Sequence, residues 1–281
     1  MNWKDLFPKE NRYFETDNGI LYCGDCLEVT KLILKKSIDL IIIDPPYLTT
    51  KEKWDKKEVV DEQLSKELFK VAKDSGSLYV WCGIGEKSQS LIRWFPIFNK
   101  DWYFKDLITW KKSRGIGMRK GWLYTREEIM WFVKNNKKFI WNKEMQYSNK
   151  KRKKYGFYKD GKSMQERMKS LYKRFTNVWT DIFEVTFYNC KEFRNYRKLH
   201  FTPKPLKAIE RIIKLHTKEN DLVLDCFIGS GTVGVACERL NRRWIGIEIN
   251  EEYCKIAKER ILKEKSNAKI FNFYGNKLPH I

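Results

Sequence analysis

A chain of 281 residues with 57 Lys+Arg against 36 Asp+Glu carries a formal charge of +21 at pH 7, alongside 14 Tyr, 17 Phe and 11 Trp. The length suffices for a substantial core in one or two domains; the basic surplus points to a polyanion, with aromatic faces available to unpaired bases, although lysines scattered along helices also serve solubility. Apolar runs are too short to span a bilayer, Met1–Asp5 lacks the apolar centre of a secretory signal, and an odd count of seven cysteines reads as reduced thiols, so membrane, secreted and disulfide-framework classes are excluded and a cytoplasmic protein is expected.

Residues 20–24 form the first expected strand, and the turn after it holds Cys23-Gly24-Asp25-Cys26. A redox or half-zinc site would need a second pair of ligands at suitable spacing. The other cysteines do not supply one, and His200, His216 and His280 are the only histidines, so a structural turn is the better reading. The next strand, 39–44, carries the apolar run Leu40–Ile43 and leads into Asp44-Pro45-Pro46-Tyr47. Such a terminus suits a planar amine: the carboxylate accepts from an exocyclic NH2, proline offers a carbonyl without a competing donor, and tyrosine offers a stacking face. Trp54 and Asp55 follow, either lining the same pocket or simply packing. Strands at 77–82, 106–111 and 128–133 come next, the last two joined by a short polar link that predicts an antiparallel hairpin.

From Lys143 to Leu199 the alternation stops, and 16 Lys/Arg stand against 6 Asp/Glu, with Lys150, Lys151, Arg152, Lys153 and Lys154 as the densest run and Tyr155, Phe157, Tyr158, Trp179 and Tyr188 interleaved. A solvated loop would look similar, but the combination predicts contact with nucleic acid. Leu206, Ile209 and Ile213 then recur at helical spacing. The strand 222–226 runs into Asp225-Cys226-Phe227-Ile228-Gly229-Ser230-Gly231-Thr232, a helix follows from about Thr232 to Leu240, and the strand 244–248 ends in Glu248. Glycines permit close backbone approach to a ligand, and an acid closing the next strand is placed for ribose hydroxyls, so a nucleoside-type cofactor is expected. Tyr253, Ile256 and Ala257 mark a final helix. Seven strands alternating with helices predict an α/β fold whose sheet is mostly parallel, with Asp44, Asp225 and Glu248 along one edge.

Together these segments resemble the beta-class amino-methyltransferases of DNA, which transfer a methyl group from S-adenosylmethionine to an exocyclic base nitrogen. The resemblance implies a Rossmann-like methyltransferase fold with circularly permuted motif order: a catalytic half over 1–142, a target-recognition insertion over 143–199 and a cofactor half over 200–281. It makes Asp44, Pro45, Pro46 and Tyr47 the catalytic motif, in the aspartate form typical of adenine N6 enzymes, with cytosine N4 transfer the alternative. The cofactor residues it implies are Asp25, Cys26, Asp44, His200, Phe201, Thr202, Lys204, Asp225, Phe227, Gly229, Ser230, Gly231, Thr232, Glu248 and Ile249. Lys150–Lys154 would contact DNA, and no metal is implied. Relatives act beside a cognate restriction endonuclease and often form homodimers, which are the expected partners besides DNA. Cys226 replaces the usual proline, and Phe201 and Pro203 depart from the usual His-Pro-Thr-Gln-Lys-Pro; neither change removes a side chain the chemistry requires. A non-catalytic recognition subunit would lack the carboxylate or tyrosine of the motif, and both are present. RNA is the remaining alternative substrate.

Overall fold

The computed structural model describes residues 2–50, 55–116, 120, 122–151, 158–159, 162–163, 172–185 and 203–275. Its centre is five parallel strands: β2 (Gly19–Cys23), β3 (Ile38–Ile43), β4 (Ala72–Cys82), β12 (Leu222–Asp225) and β13 (Arg243–Glu248). They lie in the order β2-β13-β12-β3-β4, so neighbours in space come from opposite ends of the chain. Every residue of β3 is buried, as a strand covered on both faces requires. Ile41 and Ile43 face one apolar layer while Leu40 and Ile42 face the other.

The first layer is closed by helices α1 (Cys26–Leu32), α2 (Glu62–Val71) and α3 (Ser90–Phe98), which contribute Val29, Leu64, Leu68, Trp94 and Phe98. The second is closed by α4 (Leu206–His216), α5 (Thr232–Arg239) and α6 (Glu251–Gly275), which contribute Ile209, Ile213, Ala236 and Ile261. Gly231, at φ +84°, starts α5, and a Cβ there would lie 2.9 Å from Cα of Ala257. Glycine therefore serves both the left-handed turn and the close approach of α5 to α6.

All seven expected strands are present, and β5 (Tyr103–Ile116) and β6 (Tyr124–Val133) form the expected antiparallel hairpin, with β6 also antiparallel to β4. Among the described residues the sheet has nine strands rather than seven. β1 (Arg12–Glu15) adds antiparallel to β2 at one edge, and β11 (Val178–Trp179) adds parallel to β5 at the other. Both are too short to show a period-2 apolar pattern.

β11 ties part of the 143–199 interval into the main core. Trp179 and Ile182 are buried there, and Trp110 Nε1 donates to the Ile182 carbonyl at 2.9 Å. Within the same interval β7 (Tyr147–Lys151) pairs antiparallel with β10 (Tyr172–Arg174), and β8 (Tyr158–Lys159) pairs with β9 (Lys162–Ser163).

His216, at the end of α4, is buried among Tyr79, Trp131 and Trp141. Its Nδ1 lies 2.8 Å from the Ile140 carbonyl and its Nε2 2.7 Å from the Tyr79 hydroxyl. A carbonyl only accepts, so Nδ1 carries the proton and Nε2 accepts from Tyr79. Burial pushes the imidazole pKa down to about 4, against the pull of the Ile140 carbonyl. No helix among the described residues is long and apolar enough to cross a membrane.

Candidate active site

Because the parallel strands all point the same way, the segments that leave their carboxyl ends converge. A cavity of about 430 Å³ opens there, lined by Gly24-Asp25-Cys26 after β2, Asp44–Tyr47 after β3, Asp225–Ser230 after β12 and Glu248-Ile249 after β13, with Lys204, Thr232 and Trp81. Ligand sites are commonly of this size.

The catalytic-motif segment is held from several sides. The Tyr47 hydroxyl donates to Asp44 Oδ1 at 2.8 Å, and its ring meets Trp94 edge-on at 5.8 Å. Asp55, buried in the cavity wall, accepts from the backbone N–H groups of Leu48, Thr49 and Thr50, so this aspartate shapes the loop that follows Tyr47. Arg93, paired with Glu58, reaches the Tyr47 carbonyl at 3.4 Å. Trp54 lies outside the described residues.

The cofactor-type loop is tied to its neighbouring strand. Phe227 N–H donates to Asp225 Oδ1 at 3.0 Å, while Glu248 accepts from Gly229 N–H at 3.0 Å and from Asn250 N–H at 2.8 Å. Gly229 holds φ +51°, a turn geometry natural for glycine. Asp25 caps α1, accepting from Leu27 and Glu28 N–H at 2.9 and 3.1 Å. Burial raises the proton affinity of Asp225 well above the usual carboxylate range, and that of Glu248 above it. Desolvation likewise lifts the Cys26 thiol to about 12, which makes it a poor nucleophile.

Asp44 is also engaged by a cation. Lys204 Nζ lies 2.8 Å from Asp44 Oδ2 and 3.3 Å from Glu127 Oε2, with the Tyr47 and Trp81 rings 5.4 and 5.3 Å away. Glu127 on β6 pairs in turn with Lys112 on β5. Burial raises the Asp44 pKa against the pull of Lys204, and Glu127 pushes it further up. Desolvation of Lys204 is outweighed by its two carboxylates, which hold it above the ordinary lysine range. Desolvation of Glu127 is outweighed by Lys204 and Lys112, which lower its pKa.

The structure thus brings together in one cavity wall Asp25, Cys26, Asp44, Pro45, Pro46, Tyr47, Lys204, Asp225, Phe227, Gly229, Ser230, Thr232, Glu248 and Ile249. Gly231 does not line the wall and serves packing against α6. His200, Phe201 and Thr202 fall outside the described residues, as do Arg152, Lys153 and Lys154. Lys150 is exposed on β7, and Lys151 ends that strand. Sequence reasoning did not single out Glu127, Lys112 or Trp81. The pair Glu127-Glu128, placed inside a strand just ahead of the apolar run Ile129–Val133, was the one available signal for Glu127. Among the described residues no group of three or more His, Cys, Asp or Glu could hold a metal ion.

Known proteins share the chain's family and fold. Type II methyltransferase M.HpaI of Haemophilus parainfluenzae is 34% identical over 254 residues, covering 87% of this chain and 74% of that protein. Among solved structures, PvuII DNA methyltransferase (cytosine-N4-specific) superposes with a TM-score of 0.67 at 21% identity, covering 94% of this chain and 95% of its own. The M1.HpyAVI–SAM complex gives 0.56 at 24% identity, covering 86% and 98%. The model of the DNA methylase family for N6 and N4 enzymes matches residues 38–259, from the strand that carries Asp44 through the glycine loop to the helix beyond Glu248, and the chain belongs to that family.

Proposed function

We propose that this protein is a site-specific DNA methyltransferase that methylates adenine N6 from S-adenosylmethionine, within a restriction-modification system. The observation that carries the reading is the meeting of Asp44-Pro45-Pro46-Tyr47 with the Asp225–Thr232 loop and Glu248 in one cavity. Volume and chemistry suit the cofactor: Phe227, Ile228 and Ile249 provide apolar wall for a base, and Glu248 and Asp25 provide carboxylates for hydroxyl and amine donors. Once bound, S-adenosylmethionine supplies an electrophilic methyl group on a sulfonium.

The protein's own residues act on the acceptor. The lone pair of an adenine amine is delocalised into the ring. Hydrogen bonds from N6–H2 to the Asp44 carboxylate and the Pro45 carbonyl favour a pyramidal nitrogen with a localised lone pair, so positioning and electrostatics supply most of the acceleration. A stacked base cannot reach a cavity at the ends of buried strands. The target must leave the duplex, at a cost of about a few kcal/mol, and Tyr47 offers its ring to the extruded base. The basic stretch including Lys150 supplies phosphate contacts. The family name covers both N6 and N4 transfer. The aspartate that opens the catalytic motif favours N6, and the fold neighbour specific for cytosine N4 keeps the second reading in view.

A cognate endonuclease and a homodimer belong to the same proposal, and the Type II designation of the relatives supports the restriction-modification context. Sequencing of modified bases in DNA from cells that express the protein tests the reading: N6-methyladenine at a fixed motif is expected, and N4-methylcytosine in its place would transfer the assignment to the other base.

A further inference from the structure

Both oxygens of the Asp44 carboxylate are engaged by the protein's own groups, Oδ1 by the Tyr47 hydroxyl at 2.8 Å and Oδ2 by the Lys204 ammonium at 2.8 Å. An incoming amine that uses this carboxylate as its acceptor competes with both for its lone pairs, and it meets an ammonium already seated on Oδ2. Lys204 is the partner with another place to go. Its side chain is only 9% exposed, so release into water is closed to it, but Glu127 Oε2 stands 3.3 Å away on β6. Glu127 is itself fixed from the far side by Lys112 on β5 and is only 15% exposed. A buried ammonium that lost its sole carboxylate would be strongly penalised, whereas one passed between two carboxylates keeps a counter-ion throughout.

We propose that Glu127 is a positioning residue for methyl transfer: it receives the Lys204 ammonium as the target amine takes its place on Asp44 Oδ2, with Lys112 setting how strongly Glu127 competes. The inference rests on the assignment of Asp44 as the amine acceptor. Lys204 thereby acts as a placeholder that favours the charged form of the carboxylate and yields to the substrate. Asp44 faces Tyr47 on its own segment, Lys204 ahead of α4, Glu127 on β6 with Lys112 behind it, Asp225 at the end of β12 and Cys82 on β4. Glu127 and Lys112 are the pair whose charges can be altered without touching Asp44 or its direct partners.

Glu127→Gln leaves Lys204 with Asp44 as its only carboxylate, which makes the ammonium harder to displace and Asp44 harder to protonate. Lys112→Met has the opposite effect. Single-turnover methylation of duplex DNA, followed across pH, should show Glu127→Gln slower by about 10- to 100-fold with DNA affinity retained. The acid limb of the rate should move to lower pH in Glu127→Gln and to higher pH in Lys112→Met, and Glu127→Asp should recover part of the rate. Carbon-13 NMR titration of the Asp44 carboxyl in the protein without cofactor or DNA, assigned with Asp44→Asn, should show the same opposed displacements. Wild-type rate in Glu127→Gln, or titrations and limbs that stay in place in both charge variants, overturns the proposal. If Glu127→Gln fails to fold, Glu127→Asp and Lys112→Met decide by the same titration. Wild-type protein that transfers no methyl to DNA would instead refute the functional reading, and the carboxyl titration would still report whether the charges are coupled.

Discussion

Asp44 is partner of the Tyr47 hydroxyl and counter-ion of Lys204, and in the proposed function it is also acceptor for the target amine. Asp44→Ala should leave DNA binding in place while methyl transfer falls by about 100-fold or more, the usual cost of one preorganised hydrogen-bonding group. Incorporation of radiolabelled methyl into DNA, with circular dichroism to check folding, measures it; a folded variant with near wild-type transfer would remove Asp44 from the chemistry. Tyr47→Phe keeps the ring but strips Asp44 Oδ1 of its donor. The sequence alone assigns this tyrosine a stacking ring, which makes the phenylalanine variant far milder than Asp44→Ala. With the hydroxyl bond in place, a loss of about 1 kcal/mol is expected, and a much larger one for Tyr47→Ala. Glu248 is bound to the glycine loop through Gly229 N–H, so Glu248→Ala should both remove an acceptor for the cofactor and loosen the loop. Calorimetry should find S-adenosylmethionine binding weaker by about 1 to 3 kcal/mol, and unchanged affinity in a folded variant would exclude Glu248 from the site.

At the scale of elements, the parallel core was legible because Leu40–Ile43 and Leu222–Leu224 are apolar runs that each lead directly into an acid, as strands buried on both faces and opening into a site do. The glycine loop was legible for a related reason, since Gly229 and Gly231 hold positive φ where side chains are strained. β1 and β11 were not legible. Arg12 and Glu15 bracket one of them, and two residues define the other, so pairing to an existing edge determines them rather than their own pattern. Glu127 escaped notice because its meaning comes from Lys204, 77 positions later in the chain. The basic run is a separate matter of charge. Replacing Lys150, Lys151, Lys153 and Lys154 with alanine should weaken DNA binding and flatten its salt dependence without altering cofactor affinity, because fewer counterions are released. An unaltered slope across a salt series would make the run a solvated loop.

For the whole molecule, His216 joins β4, α4 and the Ile140 segment through one neutral ring. Its folded pKa is depressed to about 4, while an unfolded histidine titrates near 6.5, so between these values the unfolded chain binds the extra proton. Stability from this group is complete above about pH 6.5 and is lost as pH falls towards 4, by on the order of 3 kcal/mol in total. The buried carboxyls Asp225 and Glu248, whose pKa values are raised, have the opposite sign and gain relative stability in acid. The comparison must therefore be differential. Urea unfolding of wild type and His216→Phe at pH 7 and pH 4.5 should show the gap between them moving against wild type at the lower pH. A gap independent of pH would mean the imidazole is not buried in its neutral form.

The pairing of Lys151 with Tyr172 across β7 and β10 places the two ends of the 152–171 stretch side by side, on a ribbon whose far end leads through β11 into the core. Such a stretch is a replaceable cassette: its length can change at a closure cost that grows only logarithmically, about 0.6 kcal/mol per doubling, while the strands bearing Asp44 and Glu248 stay in place. New target preferences could then arise by insertion, deletion or exchange between these two anchor points without the catalytic sheet having to refold. Substituting a short Gly-Ser segment for 152–171 should leave the melting temperature and S-adenosylmethionine affinity close to wild type while DNA binding weakens. Collapse of the fold in that variant, seen as loss of the cooperative thermal transition, would show that the stretch is part of the scaffold rather than cargo upon it.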